Sequence, residues 1–434
     1  MRISARVVAG IGAAGLALAN VGRIPSAAVG GRSSPFVAGD LALLLMWGFL
    51  GLALSSAAIR PVVDRVFMAA LAFVGWALVS TAFAFSRYRL GMADGLGVLA
   101  FLVRWVAYFG WYAFVVWCLT GDESRAAWRD LEWAILAIAA FGIVQSAFLP
   151  GFAQIIHDGS DLPTWDVQGR RLVSTLLDPN FAGILIVIGI VTRLSRIAEG
   201  IREPAISLVL LAVALLLTLS RSSLAALAVS LVVIAVVRGL RGALIRALAV
   251  GVVLVLPFLS LLLSFAAGFN KLGYDESAAV RLISWVRGVR LVAEHPWLGV
   301  GFNAVRQATE AHGWQRPDVS LDGGLLFVAA MTGLVGGALY VRMLHRVWRS
   351  ARRAWTDAGA LPEDRAHAVA TAAVIPAVVI HSLFVNSLLL PFVMQVLWIM
   401  WARLAHIATA RRERLGIPAA VPLEMVNAHR TVTA

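Results

Sequence analysis

The residues best placed for chemistry are a few arginines without nearby carboxylates and one aspartate at the edge of an apolar run. Arg281 and Trp285 stand four apart in a stretch, 279–290, that reads as a helix, so they share one face. Arg287 and Arg290 stand three apart and share another. Arg290 and Glu294 are four apart, and the plainer reading of that pair is an exposed salt bridge of little energetic weight. Arg281 has no acidic residue four positions away, which makes it the better phosphate ligand. A guanidinium offers a planar fork of donors that fits phosphate oxygens two at a time.

Arg221, in Leu219-Ser220-Arg221-Ser222-Ser223, lies between two apolar runs with almost no room for a loop. It either marks a tight turn by snorkelling or grips an anion at the membrane surface, where an ionisable group is costly without a function. Asp322, followed by Gly323-Gly324 and an apolar run, has two readings. One is a helix N-cap, whose carboxylate accepts backbone N–H bonds; the other is a general base. His312 is the other base candidate of that region, with an ordinary surface histidine as the alternative. His295 precedes Pro296, where a helix should end, and is a cap as readily as a catalyst. Arg170 and Arg171 lie upstream of Asp178-Pro179-Asn180, a standard helix start. The two arginines are either a second contact for an anionic head group or partners of Asp158, Asp161, Asp166 and Asp178.

The elements that must position these residues are membrane spans. The chain has 434 residues, 60% hydrophobic and 14% charged, with a mean hydropathy of +0.84. Soluble domains carry about 25% charge and about 45–50% apolar residues. A soluble α/β enzyme, a disordered chain and a disulfide scaffold are therefore excluded, and the lone Cys118 rules out a cysteine-based metal site. About 20 apolar residues cross a bilayer as a helix. The expected fold is an all-α, polytopic membrane protein of about twelve spans. They fall at 5–21, 36–58, 66–85, 96–119, 131–149, 179–195, 204–220, 222–237, 243–265, 323–343, 368–387 and 390–408. The first run resembles a signal peptide in Ala17-Leu18-Ala19, but its basic start and the membrane protein that follows favour a retained helix.

The formal charge is +13, and 36 of the 37 basic residues are arginine. These arginines fall between the apolar runs, so they orient a membrane protein rather than bind nucleic acid. With the N-terminus in the cytoplasm, 23 basic residues lie inside and 13 outside, with Arg104 within a span. Both termini are then cytoplasmic. A single membrane domain, 1–434, would carry two sizeable outer loops at 150–178 and 266–322. The second is aromatic and helix-like, and the chemistry should sit there.

Other motifs fall away. Gly10-Ile11-Gly12-Ala13-Ala14-Gly15 spells a dinucleotide fingerprint but has neither the preceding strand nor the acidic residue about 20 positions on. It reads as helix-packing glycine. The eight histidines show no paired ligand spacing, so no metal and no cofactor are expected. A transporter or lipid flippase would show internal repeats or acidic residues well inside spans. Of the latter only Asp40, near a span end, stands out.

Together these segments resemble the O-antigen ligase and polymerase superfamily of bacterial membrane glycosyltransferases. The resemblance rests on Arg171 through Asp178-Pro179-Asn180, on Ser220-Arg221-Ser222, and on Arg281…Trp285 followed by His295-Pro296-Trp297-Leu298-Gly299-Val300-Gly301. Gly333-Leu334-Val335-Gly336 completes the set, so the motifs cover roughly 170–340. The resemblance implies metal-independent transfer of a glycan from a polyprenyl diphosphate carrier to a sugar hydroxyl, on the periplasmic side of the inner membrane. The acceptor is lipid A–core in a ligase and a growing glycan in a polymerase. It also implies that Arg221 and Arg281 bind the diphosphate; Arg171, Arg287, Arg290 and His312, read from their own positions, are expected as additional contacts. Relatives commonly carry a His-Asn pair eleven residues before the first glycine of the Gly-x-x-Gly motif. Here that position holds Asp322 followed by Gly323. Asp322 thus takes the place of the acceptor base, and the histidine mechanism does not carry over unchanged.

Overall fold

The computed structural model describes residues 2–21, 38–59, 61–157, 170–239, 276–314 and 321–417. Every regular element among them is helical: α1 (Arg2–Leu18), α2 (Ala38–Ser55), α3 (Arg65–Tyr88), α4 (Met92–Cys118), α5 (Gly121–Phe148), α6 (Pro179–Ala198), α7 (Ala205–Thr218), α8 (Arg221–Val237), α9 (Glu276–Glu294), α10 (Val305–Ala311), α11 (Leu325–Trp355), α12 (Pro362–Ser382) and α13 (Pro391–Arg414). A short helix, Phe152–His157, and two 3-10 turns, Ser174–Leu176 and Ser387–Leu389, complete them.

Among the described residues seven helices are long and apolar enough to cross a membrane: α3, α4 from Asp94, α5, α6, α11, α12 and α13. Four shorter apolar helices, within α1, α2, α7 and α8, fall on other expected spans. The span expected at 243–265 lies outside the described residues. Several helices outrun their apolar stretch. α5 starts at Gly121 because Thr120 and Glu123 form a capping box, each side chain bonded to the other's backbone N–H. α11 continues from the end of its expected span to Trp355 through an arginine-rich segment of good helix formers. At 31 residues it is about 46 Å long against a hydrocarbon core of about 30 Å.

With lipid outside, helices associate through close packing rather than by escaping water. Gly12 of the false fingerprint shows this: a Cβ there would lie 2.5 Å from the Trp111 ring, so the glycine makes room for that α4 side chain against α1, which packs on α2 and α5. An aromatic cluster fills the centre, with Phe73 5.0 Å from Tyr340 and Trp105 5.4 Å from Trp398 between ring centroids. Arg104, expected within a span, pairs with Asp40 of α2, which also accepts from the Tyr108 hydroxyl at 3.3 Å.

The two ends of the bundle differ in chemistry. At one end arginines meet carboxylates: Arg6 with Asp130, Arg196 with Glu132 at 2.8 Å, Arg403 with Asp364 at 2.9 Å, and Arg238 and Arg365 both on Glu199. The first turns of α1 and the last turns of α13 lie there. The opposite end gathers Arg171, the α7–α8 turn, the start of α11 and the end of α12, and it holds the candidate site.

Candidate active site

The tight turn between α7 and α8 consists of Leu219 and Ser220, with Leu219 in the left-handed region at φ +50°. Ser220 is the N-cap of α8, and its Oγ accepts from Ser223 N at 3.3 Å. Arg221 is therefore the first helical residue and is exposed. The helix dipole and its guanidinium both place positive charge at this point. Ser220 also donates to Asn180 Oδ1 at 2.8 Å, next to Asp178, which caps α6 through Asn180 N and Phe181 N. α6 and α8 touch closely, since a Cβ on Gly183 would lie 2.2 Å from Ser223 Oγ. Arg171 comes to this same turn, donating from Nε to Thr218 O at 2.9 Å and from Nη2 to Leu219 O at 3.4 Å. It satisfies carbonyls that the end of α7 leaves without helical partners. Its observed contacts thus hold the Arg221 turn.

α9 ends at Glu294, before Pro296, as expected. Arg281 and Trp285 do share a face, and that face packs on the loop after α12. The Arg281 guanidinium lies 5.8 Å from the Phe384 ring centre, and Trp285 Nε1 donates to Leu383 O at 3.0 Å. Between them Ser284 Oγ accepts from Asp322 N at 2.5 Å, tying α9 to the aspartate.

Asp322 does not cap α11. The N-cap is Gly324, and no side chain caps that helix start. Gly323 and Gly324, at φ +126° and +47°, delay the first helical turn beyond the reach of the Asp322 carboxylate. That carboxyl makes no hydrogen bond among the described residues and is half-buried. Burial pushes its pKa up to about 6, against the opposing charge of Arg281. A carboxylate held near Arg281 with unfilled acceptor capacity suits proton abstraction from a hydroxyl. Asn386 frames it, donating from Nδ2 to Leu321 O at 2.5 Å and accepting Gly324 N on Oδ1 at 3.1 Å.

Arg287, Arg290 and His312 gather elsewhere. They surround Trp314 on the side of α9 opposite Arg281, with guanidinium-to-ring distances of 5.3 and 5.5 Å. Glu294 joins them, taking Arg290 Nε at 2.8 Å and His312 Nε2 at 2.6 Å. The expected Arg290–Glu294 pair is present, and His312 is engaged there rather than at Asp322. His295 packs at the end of α9, where burial lowers its pKa.

The glycine-rich segments turn out to be structural. α11 is broken at Gly333, which has φ +71° and ψ 178° inside the helix. A Cβ there would lie 2.0 Å from the Trp297 carbonyl oxygen. The segment 296–301 runs alongside the break and takes over its backbone bonds: Val300 N donates to Ala330 O, Gly301 N to Met331 O, and Leu334 N to Pro296 O at 2.7 Å. Ser80 of α3 adds a hydroxyl shared between Leu298 O and Met331 O, and Trp76 Nε1 donates to Thr332 O. Non-helical backbone at membrane depth is tolerated only where protein satisfies its polar groups in this way. The break anchors the stretch after α9 to α11, and so fixes Arg281 relative to Asp322.

Sequence reasoning missed the end of α12 and the loop after it. His381, Asn386 and Ser387 are polar residues within or beside an apolar run, and an intramembrane histidine was itself the available signal.

No curated protein matches the sequence. Residues 206–341 match the family described as O-antigen ligase, a stretch that runs from α7 past the Gly333 break and includes Arg221, Arg281 and Asp322. Over residues 206–341 the chain is thus similar to the O-antigen ligase family, which supports a place in the O-antigen ligase and polymerase superfamily.

Proposed function

We propose that this chain is a glycosyltransferase of the bacterial inner membrane that moves a glycan from a polyprenyl diphosphate carrier to a sugar hydroxyl. The observation that carries the reading is the Asp322 carboxyl, unbonded among the described residues, beside Arg281 and at the bundle end that also presents Arg221. Arg221 and Arg281 hold the donor diphosphate. The acceptor hydroxyl oxygen attacks the anomeric carbon as the carbon–oxygen bond to diphosphate breaks. The bonding pair leaves with the diphosphate, whose growing charge the guanidiniums stabilise, and the hydroxyl proton passes to Asp322. The excess of basic residues at the other end supports cytoplasmic termini and a periplasmic site.

The aspartate at the position where ligase relatives carry histidine keeps the polymerase reaction, with a carrier-linked glycan as acceptor, as a second reading. Glycan analysis of a deletion strain complemented with wild type, Arg281→Ala or Asp322→Ala tests both. Restoration of glycan on lipid A–core by wild type alone supports a ligase; restoration of chain length on the carrier supports a polymerase. Unchanged envelope glycans in the deletion strain would overturn the transferase reading and favour lipid-linked glycan transport.

A further inference from the structure

His381 is a buried imidazole that the mechanism above leaves unused. It lies one residue before the end of α12, fully enclosed, with both ring nitrogens engaged. Nε2 is 3.1 Å from Ser223 Oγ, and Nδ1 is 2.6 Å from Ser387 Oγ. Those two serines belong to the two halves of the candidate site. Ser223 lies two residues after Arg221, and its Oγ is 2.8 Å from that of Ser220, the residue that caps α8. Ser387 follows Asn386, which frames Asp322 from both sides. The next residue, Ser382, touches the start of α11 so closely that a Cβ on Gly324 would lie 2.4 Å from its own Cβ. A neutral imidazole has one donor and one acceptor nitrogen; Ser387 Oγ donates to Val385 O at 3.1 Å, so Nδ1 donates to Ser387 and Nε2 accepts from Ser223. The ring therefore joins the two turns by hydrogen bonds of fixed direction and length, in an interior where such bonds are strong and their loss costly.

We propose that His381 is a positioning residue: through Ser223 and Ser387 it sets the distance between Arg221, which holds the donor diphosphate, and Asp322, which takes the acceptor proton. This rests on the transferase reading. It adds that the spacing of donor and acceptor is set from within the bundle, by a residue that touches neither substrate.

The test uses the full chain in lipid nanodiscs, with a polyprenyl diphosphate-linked oligosaccharide as donor and a fluorescent polyprenyl diphosphate as binding probe. His381→Ala should bind the probe within about threefold of wild type while its kcat falls about 10- to 100-fold, the penalty of an ångström-scale misplacement. His381→Gln, which keeps one donor and one acceptor, should recover part of the rate. If His381→Ala fails to fold, Ser223→Ala, Ser387→Ala and their double mutant decide: coupling through the ring predicts a double mutant no slower than the worse single one. A wild-type rate in His381→Ala, equal losses of binding and rate, or additive serine effects would each overturn the proposal alone. A wild type that transfers to no acceptor, with Arg221→Ala and Arg281→Ala binding the probe as wild type does, would overturn the transferase reading and this proposal with it.

Discussion

Asn386 clamps the backbone on both sides of Asp322, its amide donating to Leu321 O and its side-chain oxygen accepting from Gly324 N. Among the described residues the aspartate itself makes no side-chain bond, so its orientation depends on a residue more than sixty positions away in sequence. Asn386→Ala should therefore slow glycan transfer about 10- to 100-fold. The loss of two hydrogen bonds should cost only about 1–3 kcal/mol of stability. Transfer assays paired with thermal melts check this; a variant that melts earlier yet transfers normally would contradict it.

Asp322 gives a pH prediction with a definite sign. Burial raises its pKa from 3.8 to about 6, so the carboxylate is present above about 6 and lost below. Transfer should fall about tenfold per pH unit below that point. The same shift means that the folded chain binds the proton more tightly than the unfolded chain. Ionised Asp322 therefore opposes folding at neutral pH, and the penalty fades as pH falls from about 6 towards 3.8. Asp322→Asn should abolish transfer and raise stability at pH 7 by an amount of order 1 kcal/mol. A destabilised Asp322→Asn would point to a structural role instead.

Arg281 and the arginines around Trp314 should separate cleanly. Arg281→Gln removes the charge that opposes the burial of Asp322, so any residual activity should show its acid limb shifted above pH 6. Arg287→Gln and His312→Ala, which alter the Trp314 cluster, should leave that limb in place. Rate profiles of the three variants between pH 5 and 8 make the comparison, a window set by the value of about 6 for Asp322.

Gly333→Ala should be among the most damaging small substitutions in the chain. The backbone strain at φ +71° costs about 1–3 kcal/mol for a residue with a side chain. The new Cβ would also meet the Trp297 carbonyl at 2.0 Å. Gly337→Ala, a few residues on, has only Ala329 within 4 Å and should be mild by comparison. Detergent-extracted yield and melting temperature of the two variants compare them directly.

Much of this was legible from hydropathy and helical period. The spans, the shared face of Arg281 and Trp285, the Arg290–Glu294 pair, the end of α9 and the tight turn before Arg221 all depend on residues a few positions apart. The illegible parts are long-range or turn on backbone conformation. Asp322 before a helix has the composition of an N-cap, and only the positive φ values of Gly323 and Gly324 move the helix start out of its reach. Gly333 sits in an apolar run that a continuous helix would read identically. Asn386 and His381 reach the site because α12 returns to it, and no local pattern reports that return.

The break at Gly333 divides α11 into two mechanically separate struts. Above it, the segment from Leu325 answers to the Asp322 turn, Asn386 and the 296–301 stretch. Below it, a rod of more than twenty residues ends in Arg349, Arg352 and Arg353. A continuous helix would transmit any tilt or thickness change of the bilayer at its arginine end straight to Asp322. Trp76, Ser80 and Trp297 brace the break, so the upper strut is held by protein contacts of its own and not only by the rod below it. In the proposed transferase such a break would insulate the site from strain in the surrounding lipid.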